Sequence, residues 1–232
     1  MGRKVLAMGN INKFSTHGCD NFRDASGEWV KSWTIRTEDT LECRYTRLGN
    51  LWNAMADRCN PKSFVGRTHQ SYSDVNNGFE SFQQFGDWAV EQPGFDLVEG
   101  SGKRNALDKD LLTPGSRAYS PESCCFVPQR LNNLFILPRA PRDLPIGVSW
   151  EPSRKKYASC ISVDGKNKRL GRYDTSEDAH AAWQKAKAQE VERLMAWYRE
   201  CPGFDGRVFD ALGSRVNKLR SDIASNARTV AL

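Results

Sequence analysis

An acid–base–acid triplet is the part of this sequence whose side chains most directly indicate chemistry. Asp108, Lys109 and Asp110 follow one another between Leu107 and the leucines at 111 and 112. Paired carboxylates hold hard divalent cations, and a carboxylate can also act as a general base. Charged groups beside leucines are costly to bury unless they are paired or bound to a metal ion. The triplet therefore predicts either a site or a charged strand edge with internal ion pairing.

Two short elements joined by a turn-rich loop are predicted to carry this triplet. The segment 107–112 is the first element, and Pro114-Gly115 marks a turn in the loop. Cys124 to Val127 is a short apolar run typical of a strand. The motif Pro121-Glu122-Ser123 stands immediately before that strand.

This region resembles the HNH (ββα-metal) nucleases of phages and introns. In that family a strand ends in Asn-His-Ile-Asp, and a loop leads to Pro-Glu-Asn-Leu-x-Trp-Val-Thr and a later Asn. Here Leu107-Asp108-Lys109-Asp110 takes the place of the first motif, and Pro121–Cys124 with Phe126–Pro128 takes that of the second. The later Asn is Asn132 or Asn133. Asp108 replaces the general-base His of the family, and Ser123 replaces its central Asn.

The resemblance implies a DNA endonuclease that depends on a divalent metal. Asp108 and Asp110 would hold Mg²⁺ or Mn²⁺, and the metal would stabilise the leaving oxygen. An aspartate, with an ordinary pKa of about 3.9, suits a hard metal ion better than it suits general-base work near neutral pH. The implied catalytic residues are Asp108, Lys109, Asp110, Glu122 and Asn132.

A second module is predicted from Gly147 to about Arg199. Val148-Ser149-Trp150 is predicted to form a strand, and Tyr157 to Val163 alternates as a second strand. Asp164-Gly165 is a strong hairpin signal, and a third strand over 168–173 follows it. Thr175-Ser176-Glu177-Asp178 then has the chemistry of a helix start. The pattern predicts a three-stranded antiparallel sheet backed by one helix.

The second module resembles the DNA-binding domain of the plant ethylene-response factors (APETALA type), over about 146–189. The matching segments are Gly147-Val148, Tyr157-Ala158-Ser159-Cys160-Ile161, Leu170-Gly171-Arg172-Tyr173-Asp174-Thr175 and Glu177-Asp178-Ala179-His180-Ala181-Ala182. That family lays its sheet in the major groove of double-stranded DNA, where Arg and Trp side chains read bases and phosphates. The resemblance implies the same partner for this chain.

The charge of this module independently favours DNA. Between positions 154 and 172 only Asp164 is acidic, and seven residues are basic. Arginines can pair bidentately with guanine, whereas lysines more often contact phosphate. A solvated face of a small sheet is the alternative. The predicted DNA-binding residues are Trp150, Arg154, Lys156, Tyr157, Lys166, Lys168, Arg169 and Arg172.

Composition sets the broad class of the molecule. The 232 residues carry a formal net charge of +6 and include seven cysteines. The charge suits a nucleic-acid partner. No apolar run is long enough to span a membrane, so no membrane partner is expected. The cysteines show no CxxC pair, which favours reduced thiols in a cytoplasmic protein and does not favour a structural zinc site.

Helical periodicity and proline content predict the domain division. Helices are expected from Tyr45 to Arg58 and from Phe79 to Val90. Prolines at 138, 141 and 145 predict an extended linker. The predicted parts are a nuclease-like domain over 1–137, a linker over 138–145, a DNA-binding domain over 146–200 and an amphipathic helix over 201–232. That last helix is expected to pack on a core, to add a phosphate contact or to form a homodimer.

The fold class predicted from these elements is α+β, with an N-terminal degenerate ββα core and a C-terminal sheet and helix. The leading functional hypothesis is a phage-type HNH-like endonuclease that binds duplex DNA through its sheet. The first alternative is a catalytically inactive DNA-binding or regulatory protein on the same scaffold. A further alternative is a protein-interaction module that inhibits an enzyme.

Overall fold

A computed structural model describes residues 47–63, 74–135 and 143–232, together with four short strands nearer the N-terminus. Those strands are β1 (Phe22–Arg23), β2 (Trp29–Val30), β3 (Ile35–Arg36) and β4 (Cys43–Arg44). Antiparallel pairing joins β1 to β2 and β3 to β4. Helices and small sheets together make this an α+β protein, which confirms the predicted fold class.

The described residues form two compact units. The first contains the residues before Leu97 together with Leu107–Phe126, and the second contains Leu97–Ala106 and Val127–Leu232. Residues 136–142, which include most of the predicted linker, lie outside the described part of the chain. The predicted domain division therefore stays a prediction.

Two amphipathic helices supply most of the core of the first unit. Helix α1 (Arg47–Cys59) buries Leu48, Trp52 and Met55, which recur at helical spacing along one face. Helix α2 (Phe82–Glu91) begins three residues later than predicted, because the Ser81 hydroxyl accepts a hydrogen bond from the Gln84 amide and caps it.

Aromatic side chains fill the space between these helices. Trp52 meets the edge of Phe82 with ring centroids 5.6 Å apart, and Phe79 meets Phe85 at 5.2 Å. Trp88 lies 5.8 Å from Phe126. Edge-to-face and tilted pairs of this kind add to the stabilisation that burial alone provides.

The predicted strand pair is present in a short form. Strand β6 (Ala106–Asp108) pairs with β8 (Cys125–Val127), which leads into the one-turn helix α3 (Gln129–Asn132). A second pair, β5 (Asn76–Asn77) with β7 (Ala118–Tyr119), is parallel and was not predicted. The assignment of β6, β8 and α3 to a ββα nuclease core stays a prediction.

A three-stranded antiparallel sheet dominates the second unit. Its strands are β9 (Val148–Glu151), β10 (Lys156–Val163) and β11 (Lys166–Tyr173), in the order β11-β10-β9. The 24-residue helix α4 (Ser176–Arg199) follows. Its cap is the predicted one, because the Thr175 hydroxyl oxygen accepts a hydrogen bond from the Asp178 amide.

The two faces of this sheet have different environments. Ile161 is buried with Trp183 of α4, so the odd-numbered positions of β10 face the helix. Side chains alternate along a strand, so the even-numbered positions of β10 face away from it. Directly paired residues of neighbouring strands share a face. We call the face opposite α4 the open face; it carries Ser149, Glu151, Lys156, Ala158, Cys160, Ser162, Asn167, Arg169 and Arg172.

Helix α5 (Gly206–Ala224) completes the second unit and confirms the predicted terminal amphipathic helix. It packs against α4 and buries Val208, Leu212, Val216 and Leu219. Core packing is therefore a role of its apolar face, and a homodimer through this helix stays a prediction. Within the described residues, no helix is both long enough and apolar enough to cross a bilayer.

Candidate nucleic-acid interface

Two arginines of β11 converge on one carboxylate of β9. Arg169 Nη2 lies 2.6 Å from Glu151 Oε1, and Arg172 Nε donates to Glu151 Oε2 at 2.6 Å. The guanidinium groups reach across the central strand, where the small residue Ala158 is paired directly with Arg172 and is only 1% exposed. A larger side chain at position 158 would stand between the arginines and Glu151.

Glu151 is ionised at neutral pH in this setting. The hydrogen bond from Arg172 holds the pKa of its carboxyl below the ordinary value, and the charges of Arg169, Arg172 and Arg154 act in the same direction. Hydrogen bonds in which both partners are charged are short and about twice as strong as neutral ones. The carboxylate therefore fixes two guanidinium groups side by side on a face that is open to solvent.

Two further cations lie close to this pair. Arg154 is in the turn between β9 and β10, where its amide donates to the Glu151 carbonyl oxygen at 3.1 Å. The following residue, Lys155, has a φ of 51°, which is uncommon for a residue other than glycine. Lys156 forms an ion pair with the exposed carboxylate of Asp174. The open face and the β9–β10 turn thus hold five basic side chains and one acidic one, Glu151, while Asp174 follows the end of β11.

The predicted DNA-binding residues are divided between the two faces of the sheet. Arg169, Arg172 and Lys156 lie on the open face, and Arg154 lies in the turn beside it. Lys166 and Lys168 are paired with Val163 and Ile161 and so share the face toward α4, as do Trp150 and Tyr157. Register produces this division, because residues one position apart on a strand point to opposite faces.

Trp150 and Tyr157 form an aromatic pair on the helix side. Their ring centroids are 4.8 Å apart, and Trp150 is 44% exposed at the edge strand β9. Tyr157 is also paired directly with Tyr173 of β11. This pair is therefore not part of the surface that presents Arg169 and Arg172.

Glu151 organises this surface but is not among the residues that the sequence predicts to bind DNA. The available signal is its place immediately after the first predicted strand, two positions beyond Ser149 and therefore on the same side if the strand continues. Its partners are 18 and 21 positions away, and only the strand register shows that they meet.

Asp108 has a local structural role in the first unit. Its Oδ1 accepts hydrogen bonds from the amides of Asp110 at 2.9 Å and Leu111 at 2.6 Å, and so closes the turn that follows β6. Burial raises the pKa of this carboxyl, and the two amide hydrogen bonds oppose that effect only in part. The residue therefore stabilises the turn from within.

Lys109 is buried and fully engaged with its own loop. Its ammonium group is 2.7 Å from Asp110 Oδ1 and donates to the Ser116 carbonyl oxygen at 2.8 Å. It also lies 5.9 Å from the ring centroid of Tyr119. Internal ion pairing, one of the two alternatives for the triplet, is present here.

Asp108 and Asp110 already have protein partners in this structure, and their binding of a magnesium or manganese ion stays a prediction. Asp108 Oδ1 accepts from two amides, and Asp110 Oδ1 is paired with the Lys109 ammonium group. Mg²⁺ prefers near-octahedral oxygen ligands, usually one or two carboxylates together with several waters. Across the described ranges, no three His, Cys, Asp or Glu side chains converge as a metal site.

The two remaining predicted catalytic residues have separate surroundings. Glu122 is exposed, and a hydrogen bond with the Ser120 side chain lowers the pKa of its carboxyl. Asn132 is half-buried at the end of α3, where its backbone N–H donates to the Pro128 carbonyl oxygen. Asn132 belongs to the second unit and Asp108 to the first.

No family model, curated protein or solved structure matches this chain. The resemblances to HNH nucleases and to ethylene-response-factor domains therefore stay predictions from sequence motifs. The function is best inferred from the side chains of the open face and from those around Asp108.

Proposed function

We propose that this protein binds double-stranded DNA through the open face of its β9–β11 sheet and does so without cleaving it. The observation that carries the proposal is the fixed pair Arg169 and Arg172, held by Glu151 on an exposed sheet face. A small antiparallel sheet fits the major groove of B-DNA, where an arginine can donate two hydrogen bonds to the edge of guanine. The side chains of Arg169 and Arg172 are 48% and 37% exposed, so both remain accessible from solvent.

The surrounding cations support contacts to the phosphate backbone. Arg154 is exposed in the β9–β10 turn, and the side chain of Lys156 is 40% exposed at the same end of the sheet. Basic groups at the rim of a groove-binding element neutralise phosphates and set its register on the duplex. Binding that depends on such contacts weakens steeply as salt concentration rises.

A non-catalytic role is the better-supported version of the two DNA-directed hypotheses. The carboxylates of Asp108 and Asp110 hold a turn and a buried lysine together. This arrangement gives the triplet a function in stability that needs no metal ion. The endonuclease therefore stays a prediction based on the motif alone.

Salt-dependent binding to duplex DNA tests the proposal. In the variant Arg169→Gln with Arg172→Gln, the affinity for duplex is expected to fall about 100-fold, since each good arginine contact is worth about 1–3 kcal/mol. The matched control is Lys166→Gln with Lys168→Gln, which removes the same charge from the other face. Its affinity is expected to fall by less than about ten-fold, and fluorescence anisotropy across a salt series measures both. Equal losses in the two variants would show that only net charge matters, and no binding by the parent chain would overturn the proposal.

Variants of Asp108 separate a turn role from a catalytic one. Asp108→Asn keeps the oxygen that accepts both amide hydrogen bonds, so the free energy of unfolding at pH 7 is expected to stay within about 0.5 kcal/mol of the parent or to rise. Asp108→Ala removes that oxygen and is expected to cost about 1–2 kcal/mol. Urea denaturation provides the values. Nicking of supercoiled plasmid by the parent chain with magnesium or manganese, lost in Asp108→Asn, would instead support the endonuclease.

A further inference from the structure

We infer that Glu151 is a specificity-determining residue, which holds Arg169 and Arg172 for base recognition while weakening their attraction to phosphate. The inference rests on the proposed function and concerns the same surface. Glu151 accepts a hydrogen bond from Arg172 Nε and forms an ion pair with Arg169 Nη2, with a separation of 2.6 Å in both cases.

The contacts with Glu151 leave donors available on each arginine. A guanidinium group has five N–H donors. Arg169 uses Nη2 for Glu151, and Arg172 uses Nε. The remaining donors can still pair with neutral acceptors such as O6 and N7 of guanine. Glu151 therefore does not prevent recognition of a base edge.

The same carboxylate opposes contact with phosphate. A phosphate is attracted by net charge, and Glu151 places one negative charge between two positive ones. Its side chain is only 19% exposed, so water screens this charge less than it screens the charge of a fully exposed acid. The non-specific, charge-driven part of the affinity is thereby reduced more than the part that comes from hydrogen bonds to bases.

Fixing the arginines in advance also favours recognition. A free arginine side chain loses rotamer freedom when it binds, and this loss opposes binding. Arg169 and Arg172 are already held against Glu151 across Ala158. The two side chains therefore lose this freedom when the protein folds, before any DNA binds. Only DNA sequences whose acceptors match the fixed positions of the donors gain from it.

The test compares Glu151→Gln with a matched variant, Asp174→Asn. Each substitution removes one negative charge, but Asp174 pairs with the single cation Lys156 and its side chain is 81% exposed. For both variants, the affinity for a random-sequence duplex at 0.1 M salt is expected to rise about five- to ten-fold, with a salt slope steeper by about 0.9. Fluorescence anisotropy with a 30-base-pair duplex, about three helical turns, gives these values.

Sequence discrimination is the readout that only Glu151 should change. Selection from a pool of duplexes with randomised positions is expected to enrich a motif with the parent chain and with Asp174→Asn. With Glu151→Gln, enrichment is expected to fall at least ten-fold. Equal enrichment in all three, or no enriched motif with the parent chain, would overturn the inference. A parent chain that binds no duplex at all would instead overturn the proposed function.

Discussion

Replacing Gly147 by alanine is expected to destabilise the sheet and helix of the second unit by about 2–5 kcal/mol. Gly147 has a φ of +79°, a left-handed conformation that costs about 1–2 kcal/mol for other residues. A Cβ atom there would lie 2.1 Å from Cδ1 and 2.2 Å from Cγ of Trp183. Trp183 is 3% exposed, so its ring cannot move aside without disturbing the core, and overpacking costs a further 1–3 kcal/mol, roughly.

Gly165→Ala is the matched control for this prediction. Gly165 has a φ of +76° in the β10–β11 hairpin, but nothing lies within 4 Å of the position that its Cβ would take. Only the backbone term applies, and a loss of about 1–2 kcal/mol is expected. Urea denaturation followed by circular dichroism compares the two variants. Equal losses would mean that the contact with Trp183 is not what requires glycine at position 147.

Truncating His180 to alanine is expected to cost about 3 kcal/mol. Its Nδ1 donates to the Ile146 carbonyl oxygen at 2.9 Å, and its Nε2 accepts from the Thr229 amide at 3.0 Å. These two bonds require the neutral ring with its proton on Nδ1. The ring is 4% exposed, so its loss leaves a buried acceptor and a buried donor without partners, at about 1–3 kcal/mol each.

The same residue predicts how stability depends on pH. Burial lowers the pKa of His180 below its ordinary value of 6.5, and the charge of Arg228 acts in the same direction. The hydrogen bond to Ile146 and the charges of Asp222 and Glu177 oppose this shift. The unfolded chain therefore binds a proton at a higher pH than the folded chain does. The full contribution is present above about pH 6.5 and is lost as the pH falls toward the lowered value.

Denaturation at pH 7 and pH 5 measures this dependence. The free energy of unfolding of His180→Ala is expected to fall less between pH 7 and pH 5 than that of the parent chain, because the variant has no ring to protonate. Thr229→Ala is the control, because it keeps the backbone amide that donates to His180 and removes only the hydroxyl, which donates to Asp222 and accepts from Gln184. It should be less stable at both pH values but keep the slope. An unchanged slope in His180→Ala would place the titrating group elsewhere.

Local patterns in the sequence determined the elements of the second unit. The Asp164-Gly165 turn, the alternation from Tyr157 to Val163 and the Thr175 cap are present as predicted. Signals of this kind act over a few residues, where backbone geometry and hydrogen bonding to neighbouring amides decide the outcome. The helices of the first unit follow for the same reason, with small changes at their ends.

Tertiary structure alone decided which charges meet. The strand register placed Arg169 and Arg172 against Glu151 and put Lys166 and Lys168 on the other face. A shift in register after Ser159 helps to set this arrangement, because β10 pairs Ser159 with Gly171 but Cys160 with Arg169. Such a shift changes which side chains face each other, and composition does not reveal it.

The triplet shows the same limit in the first unit. Its sequence allowed either a metal site or an ion-paired turn, since the residue types suit both. The distances from Asp108 and Lys109 to nearby amides, to Asp110 and to the Ser116 carbonyl oxygen favour the turn. Residue types thus determined the chemistry that was available here, and the folded geometry decided how it is used, because hydrogen bonds and ion pairs depend on distance and direction.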